Sequence, residues 1–204
     1  MPTIEEIKHA PASTAIHEII ASRWSPRAFS DKPVSAEEME KLFTAASWAA
    51  SSANEQPWRF LFGRNGDPTF VKILDSMVEA NQAWAKHAPV LLLSVGKSTF
   101  SPGPYAGAHN PYALHDTGAA SACLSLEATV LGLHTHGIGG FDHEKARAHF
   151  NIPADFEIGA CWAIVYLGNP HTLRDGLQQR ELAPRSRKPI SDFVFAEWAV
   201  SATL

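Results

Sequence analysis

Two periods of apolar residues alternate along this chain, and they predict its elements. In "SAEEMEKLFTAASWAA" (35–50), Met39, Leu42, Phe43 and Ala46 share one helical face behind a capping box made by Ser35 and Glu38. "WRFLFG" (58–63) alternates and is rich in aromatics, so it reads as a strand. "PTFVKILDSMVEANQAWAKH" (68–87) has helical spacing throughout, with Phe70, Ile73, Leu74 and Met77 on one side. "PVLLLSVG" (89–96) is a short continuous apolar run, as expected of a strand covered on both faces. Residues 98–113 hold three prolines, two glycines and two tyrosines and predict a long surface loop. "HDTGAASACLSLEATVLGL" (115–133) follows, a helix with small residues on every face and hence one packed closely on several sides. "DHEKARAHF" reads as a short helix and "IGACWAIVYLG" as a strand. The tail "SRKPISDFVFAEWAV" carries too many apolar residues for a free arm. Helices flanking a few strands give an α+β fold around a sheet of four to five strands.

Composition narrows the possibilities. The 204 residues are 45% apolar, with a net charge of −4 and a pI near 6.2, so nothing favours nucleic acid or an anionic membrane. No apolar run approaches the ~20 residues that span a bilayer. The start "MPTIEEIKHA" places acids where an export signal needs an apolar core, which predicts a cytoplasmic protein. Cys123 and Cys161 lie far apart in apolar segments and read as buried free thiols.

Three polar segments remain. In "SRWSPRAF", Arg23, Ser25 and Arg27 alternate, so an extended chain presents them on one side. "ASSANEQPW" sets Ser51, Ser52 and Asn54 between a helix end and a strand. "PRSRKP" offers Arg185 and Arg187 with Lys188 beside them. Each alone could be a solvated surface. Together they offer guanidinium groups that grip phosphate bidentately, with amides and hydroxyls for a polar ring. "HGIGGFD" adds backbone N–H groups beside glycines that allow close approach. His134 and His136 of "HTH" would share a strand face, but no third metal ligand stands near. P-loop, GxSxG and GxGxxG spacings are all missing.

In order and spacing, "SRWSPRAFSDKPVSAEEMEKLFTAASWAASSANEQPWRFLF" resembles the opening of the nitroreductase family. "GLHTHGIGGFD", "NIPADFEIGACWAIVYLGNP" and "RSRKP" are similar to its later landmarks. The resemblance runs from about Ile16 to Ile190. It implies a single domain over 1–204, with a C-terminal arm from about 171, a mostly antiparallel sheet, and a homodimer holding FMN at the subunit interface. By matching position, Arg23 and Ser25 would contact the phosphate and ribityl chain, and Arg185 and Arg187 would clamp the phosphate. Arg27 and Asn81 would face the pyrimidine edge, and Gly139 and Gly140 would offer N–H near flavin N5. Ser51, Ser52 and Asn54 would wall the partner subunit's cofactor. Trp24 stands in the phosphate segment where many members carry a second Arg, Ala50 where a proline is common, and Gly139 where one subgroup has an acid.

The implied activity is hydride transfer from NADH or NADPH to a nitroaromatic or quinone-like acceptor. Donor and acceptor would use one flavin face in turn, and no side chain need be an essential acid. Relatives of the dehalogenase or ene-reductase type, or a flavin store or sensor whose face Tyr105 or Tyr112 blocks, are the alternatives.

Overall fold

A computed structural model describes residues 2–11, 15–101 and 103–203. The short helices α1 (Ile4–Lys8) and α2 (Glu18–Ser22) precede α3 (Ala36–Ser47). Then come β1 (Trp58–Arg64), α4 (Pro68–Ser76), α5 (Glu79–Ala85), β2 (Val90–Lys97) and α6 (Ala113–Val130). The chain continues through β3 (His134–Ile138), α7 (His143–Phe150), β4 (Phe156–Val165) and α8 (Asp175–Leu182). A small hairpin of β5 (Phe195–Glu197) and β6 (Val200–Ser201) follows. The main sheet has four strands in the order β1-β2-β4-β3, every pair antiparallel, which fits the expected α+β architecture.

The two central strands sort their side chains by the two-residue period of a strand. Leu91, Leu93 and Val95 of β2, with Cys161, Ala163 and Val165 of β4, face Phe70, Ile73, Trp84 and Ala146 from α4, α5 and α7. Val90, Leu92 and Ile164 face the other way, onto Leu42 of α3 and Leu124 and Ala128 of α6. Burial on both faces explains the continuous apolar run of β2. The capping box of α3 forms as its sequence predicts. Burial raises the Cys161 thiol to about 12, so it is inert, whereas Cys123 is only half-buried on α6.

Three expectations need correction. The helix expected over 68–87 is two, because Met77 and Val78 turn extended. Met77 bridges Phe141, and the Val78 N–H donates to the Gly140 carbonyl at 3.1 Å. A tertiary strand-like pairing thus outcompetes a local periodicity. Secondly, α6 is covered on one face only. Thr117, Ala120, Leu124 and Ala128 are buried, while Leu114, Gly118, Ala122 and Val130 are exposed. Thirdly, the tail folds into its hairpin yet leaves Phe193 and Val200 exposed and Trp198 at 92% exposure.

Close backbone approach fixes the entry to the polar segments. Ala28 and Ser30 lie against the exit of β4, where the Gly168 N–H donates to Ala28 at 2.9 Å and the Ser30 N–H to Tyr166 at 3.0 Å. A Cβ at Gly168 would sit 2.3 Å from the Phe29 carbonyl oxygen, so only glycine permits this crossing.

Candidate functional site

Helix α2 stops at Ser22, and Arg23 leaves it in an extended conformation (φ −61°, ψ 122°). Burial then alternates. Trp24, Pro26 and Ala28 turn inward, and Arg23, Ser25 and Arg27 stay half-exposed on the other side. The alternation read from the sequence is therefore a real face.

Three contacts hold this strip from behind. The His136 Nδ1–H donates to the Pro26 carbonyl at 2.6 Å. Glu181 Oε1 accepts the N–H groups of Arg27 (2.8 Å) and Ala28 (3.0 Å). The Trp24 indole packs between the Lys8 ammonium, 5.1 Å from its ring centroid, and His134, edge-on at 5.9 Å. Lys8 in turn donates to the carbonyls of Arg180 (3.2 Å) and Ala183 (2.6 Å), tying α1 to the end of α8. Burial lowers both His134 and His136 to about 4, so both rings are neutral. They share one strand face as expected, while Thr135 points away and bonds Ser125. Their partners are aromatic rings and backbone, and no group of three metal-capable side chains forms among the described residues.

In front of the strip opens a cleft of about 650 Å³, lined by Arg23, Arg185, Arg187 and Lys188, with Ile16 and Ile20 as apolar flanks. No carboxylate is among its described lining residues. Burial, and then the charge of Arg187, lowers Arg23 from its ordinary value. Burial followed by Arg23 and Arg187 lowers Arg185. Arg185 is itself an anchor, since its terminal nitrogens donate to the carbonyls of Arg23 and, at 2.6 Å, Ala21. Its Nε is buried without an acceptor among the described residues. Such a cluster of mutually repelling guanidinium groups with a spare donor suits a multivalent anion.

Arg27 leads away from this cleft. Its guanidinium lies 5.6 Å from the ring centroid of Trp84 on α5, one turn beyond Asn81. Asn81 Nδ2 donates to the Gly140 carbonyl at 3.0 Å. A Cβ at Gly140 would come within 2.5 Å of that nitrogen, which explains the glycine. The N–H groups of Gly139 and Gly140 have no backbone acceptor among the described residues. The structure thus joins Asn81 to the glycine loop and sets both on the elements beside Arg27.

The "SSANEQ" turn is built differently. Ala53, Asn54 and Gln56 all adopt positive φ (52°, 53° and 51°), a conformation costing a non-glycine residue on the order of 1 kcal/mol or more. The buried Asp116 of α6 accepts the Ser52 N–H at 2.9 Å, and Ser51 Oγ accepts the Gln56 N–H at 3.0 Å. Glu55 accepts the Ser101 N–H at 2.8 Å and so ties the turn to the long loop. Ser51 and Ser52 line a separate concavity with Tyr112 and His115. Within one chain, then, the turn and the arginine cleft line different concavities.

Trp24 is the one candidate whose side chain is directed inward, at 4% exposure. Lys8, Asp116 and Glu181 escaped the sequence reading. Asp116 had a visible signal, being the only acid in the small-residue stretch up to Leu126. Glu181 had none, since 154 residues separate it from Arg27.

The Nitroreductase family profile matches residues 20–67 and 63–169. A protein of Archaeoglobus fulgidus, provisionally named NADH dehydrogenase/NAD(P)H nitroreductase, is 28% identical over 162 residues, covering 78% of this chain and 87% of its own. A similarly named protein of Xanthomonas oryzae pv. oryzae is 28% identical over 153 residues, 68% of this chain and 78% of its own. Among solved structures, an oxidoreductase containing FMN superposes with a TM-score of 0.87 at 31% identity over 96% of this chain and 97% of its own. By the extent of that match and by its fold, the chain belongs to the nitroreductase family.

Proposed function

We propose that this chain is one FMN-binding domain of an NAD(P)H-dependent oxidoreductase that works as a homodimer. The observation that carries this is the cleft in which Arg23, Arg185 and Arg187 converge without a carboxylate, with the buried Arg185 Nε unpartnered. A terminal phosphate fits that donor set, and no dinucleotide motif exists to hold an adenosine half. Arg185 positions Arg23 through the backbone, and Arg187, exposed and bonded among the described residues only to the adjoining Ser186 carbonyl, can close on the phosphate. Ser25 lies beside Arg23 (3.4 Å) and would take the ribityl side. Trp24 wedges this strip outward from beneath.

When bound, FMN supplies hydride acceptance from NADH or NADPH and hydride delivery to a nitroaromatic or quinone-like acceptor. Arg27 holds a positive charge, and Asn81 an amide, toward the pyrimidine edge, where a reduced flavin gathers negative charge. Gly139 and Gly140 orient N5 by backbone N–H. Ser51, Ser52 and Asn54 wall the cofactor of the other protomer, which accounts for a strained turn standing apart from its own chain's cleft.

Purified protein should be yellow and release FMN on denaturation, and anaerobic NADH or NADPH should bleach it. Release of FAD, or a flavin that neither nucleotide reduces, would overturn this reading.

The dimer has its own test. Leu114, Gly118, Ala122, Leu126 and Val130 recur every fourth residue on the uncovered side of α6, and Trp48 and Trp198 are 85% and 92% exposed. Large apolar faces of this kind mark obligate interfaces, which commonly bury more than about 2,000 Å². Ala122→Glu should give a monomer that has lost FMN, by light scattering and absorbance. A monomer that keeps its flavin would refute the shared site.

A further inference from the structure

The arginine strip rests on a buried charge that hydride chemistry does not use. Glu181 is 2% exposed and Lys8 5%, the two deepest ionisable side chains behind the cleft. The Glu181 carboxylate grips the N–H of Arg27 with both oxygens (2.8 and 3.1 Å) and that of Ala28 with one (3.0 Å). It stands among cations. Lys8 feels Glu181 as an attractive charge and Arg185 and Arg27 as repulsive ones, and Arg27 feels Glu181 as attractive and Arg180 as repulsive. A carboxylate accepting backbone N–H groups in a water-poor site acts through short, weakly screened interactions.

Resting on the flavin reading above, we propose that Glu181 is the positioning residue of Arg27, fixing where its guanidinium points and moderating the positive field that the flavin experiences. Two effects are combined here, and they have opposite signs. The hydrogen bonds lock the backbone at residue 27, so that the side chain leaves on the half-exposed side toward Trp84 while Ala28 turns inward. The negative charge subtracts from the field of Lys8, Arg27, Arg180 and Arg185. Oε1 accepts from both N–H groups, so a glutamine can keep those two bonds through its one carbonyl oxygen while losing the charge and the longer contact of Oε2 with the Arg27 N–H. Alanine loses both.

The test compares Glu181→Gln, Glu181→Ala and Arg27→Ala, each loaded with FMN, by midpoint potential of the bound flavin and by FMN dissociation constant. Glu181→Gln should retain FMN at least as tightly as the parent protein and shift the potential to more positive values. Glu181→Ala should weaken FMN binding by roughly tenfold and shift the potential to more negative values, the same direction as Arg27→Ala. Opposite shifts in the two Glu181 variants are the signature of positioning plus charge. A structural strut alone would lower thermal stability in both and leave the bound flavin's potential where it was, and that result overturns the proposal. If Glu181→Ala does not fold, an unchanged potential in Glu181→Gln still refutes it. A parent protein that takes up no FMN refutes the functional reading as well, whereas a normal parent with a shifted Arg27→Ala and unshifted Glu181 variants refutes only the role of Glu181.

Discussion

Between pH 6.5 and pH 4 the fold should lose up to roughly 3 kcal/mol of stability for each of His134 and His136. Both rings fall from 6.5 to about 4 chiefly through burial, so the folded protein holds them neutral while the unfolded chain charges them near 6.5. Within that window the unfolded state binds more protons, and stability therefore rises with pH and falls on acidification. The contribution is complete above 6.5 and gone below about 4. Paired carboxylates act later. Glu38, bonded by Tyr166, and Asp75, bonded by Lys145 and His149, lie below their ordinary values of 4.5 and 3.8 and cost stability only in stronger acid. Urea titrations from pH 7 to 4.5 should show a slope approaching two protons, and His136→Asn should remove about one of them. A flat profile across that range would show that the rings are not buried neutral.

Arg187→Ala and Arg27→Ala should separate affinity from redox tuning. Removing Arg187 deletes a charge-assisted hydrogen bond to phosphate, typically about 1.5–3 kcal/mol, so FMN binding should weaken roughly 10- to 150-fold. The flavin that remains should be reduced at nearly the parent rate, because the phosphate lies far from the ring. Arg27→Ala removes positive charge from beside the pyrimidine edge. Its bound flavin should become harder to reduce, and bleaching by NADH or NADPH should slow per occupied site. Occupancy, potential and single-turnover bleaching rates decide the matter. An Arg27→Ala protein that loses flavin at unchanged potential would make Arg27 a second anchor, and two variants that change nothing would remove both residues from the site. Exposed Arg187 should also confer a salt dependence on affinity that half-buried Arg27 does not.

What the residue order determined by itself is whatever depends on short range. The capping box at Ser35, the alternation of Arg23, Ser25 and Arg27, and the doubly apolar run of β2 were all legible, because a cap spans three residues and a strand period two. The motif spacing also carried the family. Long-range partners decided the rest. The break at Met77 was invisible because the pairing that stabilises it, with Phe141, joins residues distant in sequence. The grip of Glu181 on Arg27 crosses 154 residues and leaves no periodic trace. The same holds for α6, whose small residues permit close packing on any side. Only the folded chain shows that one side meets the sheet and the other stays apolar and uncovered, because which face is buried depends on what folds against it.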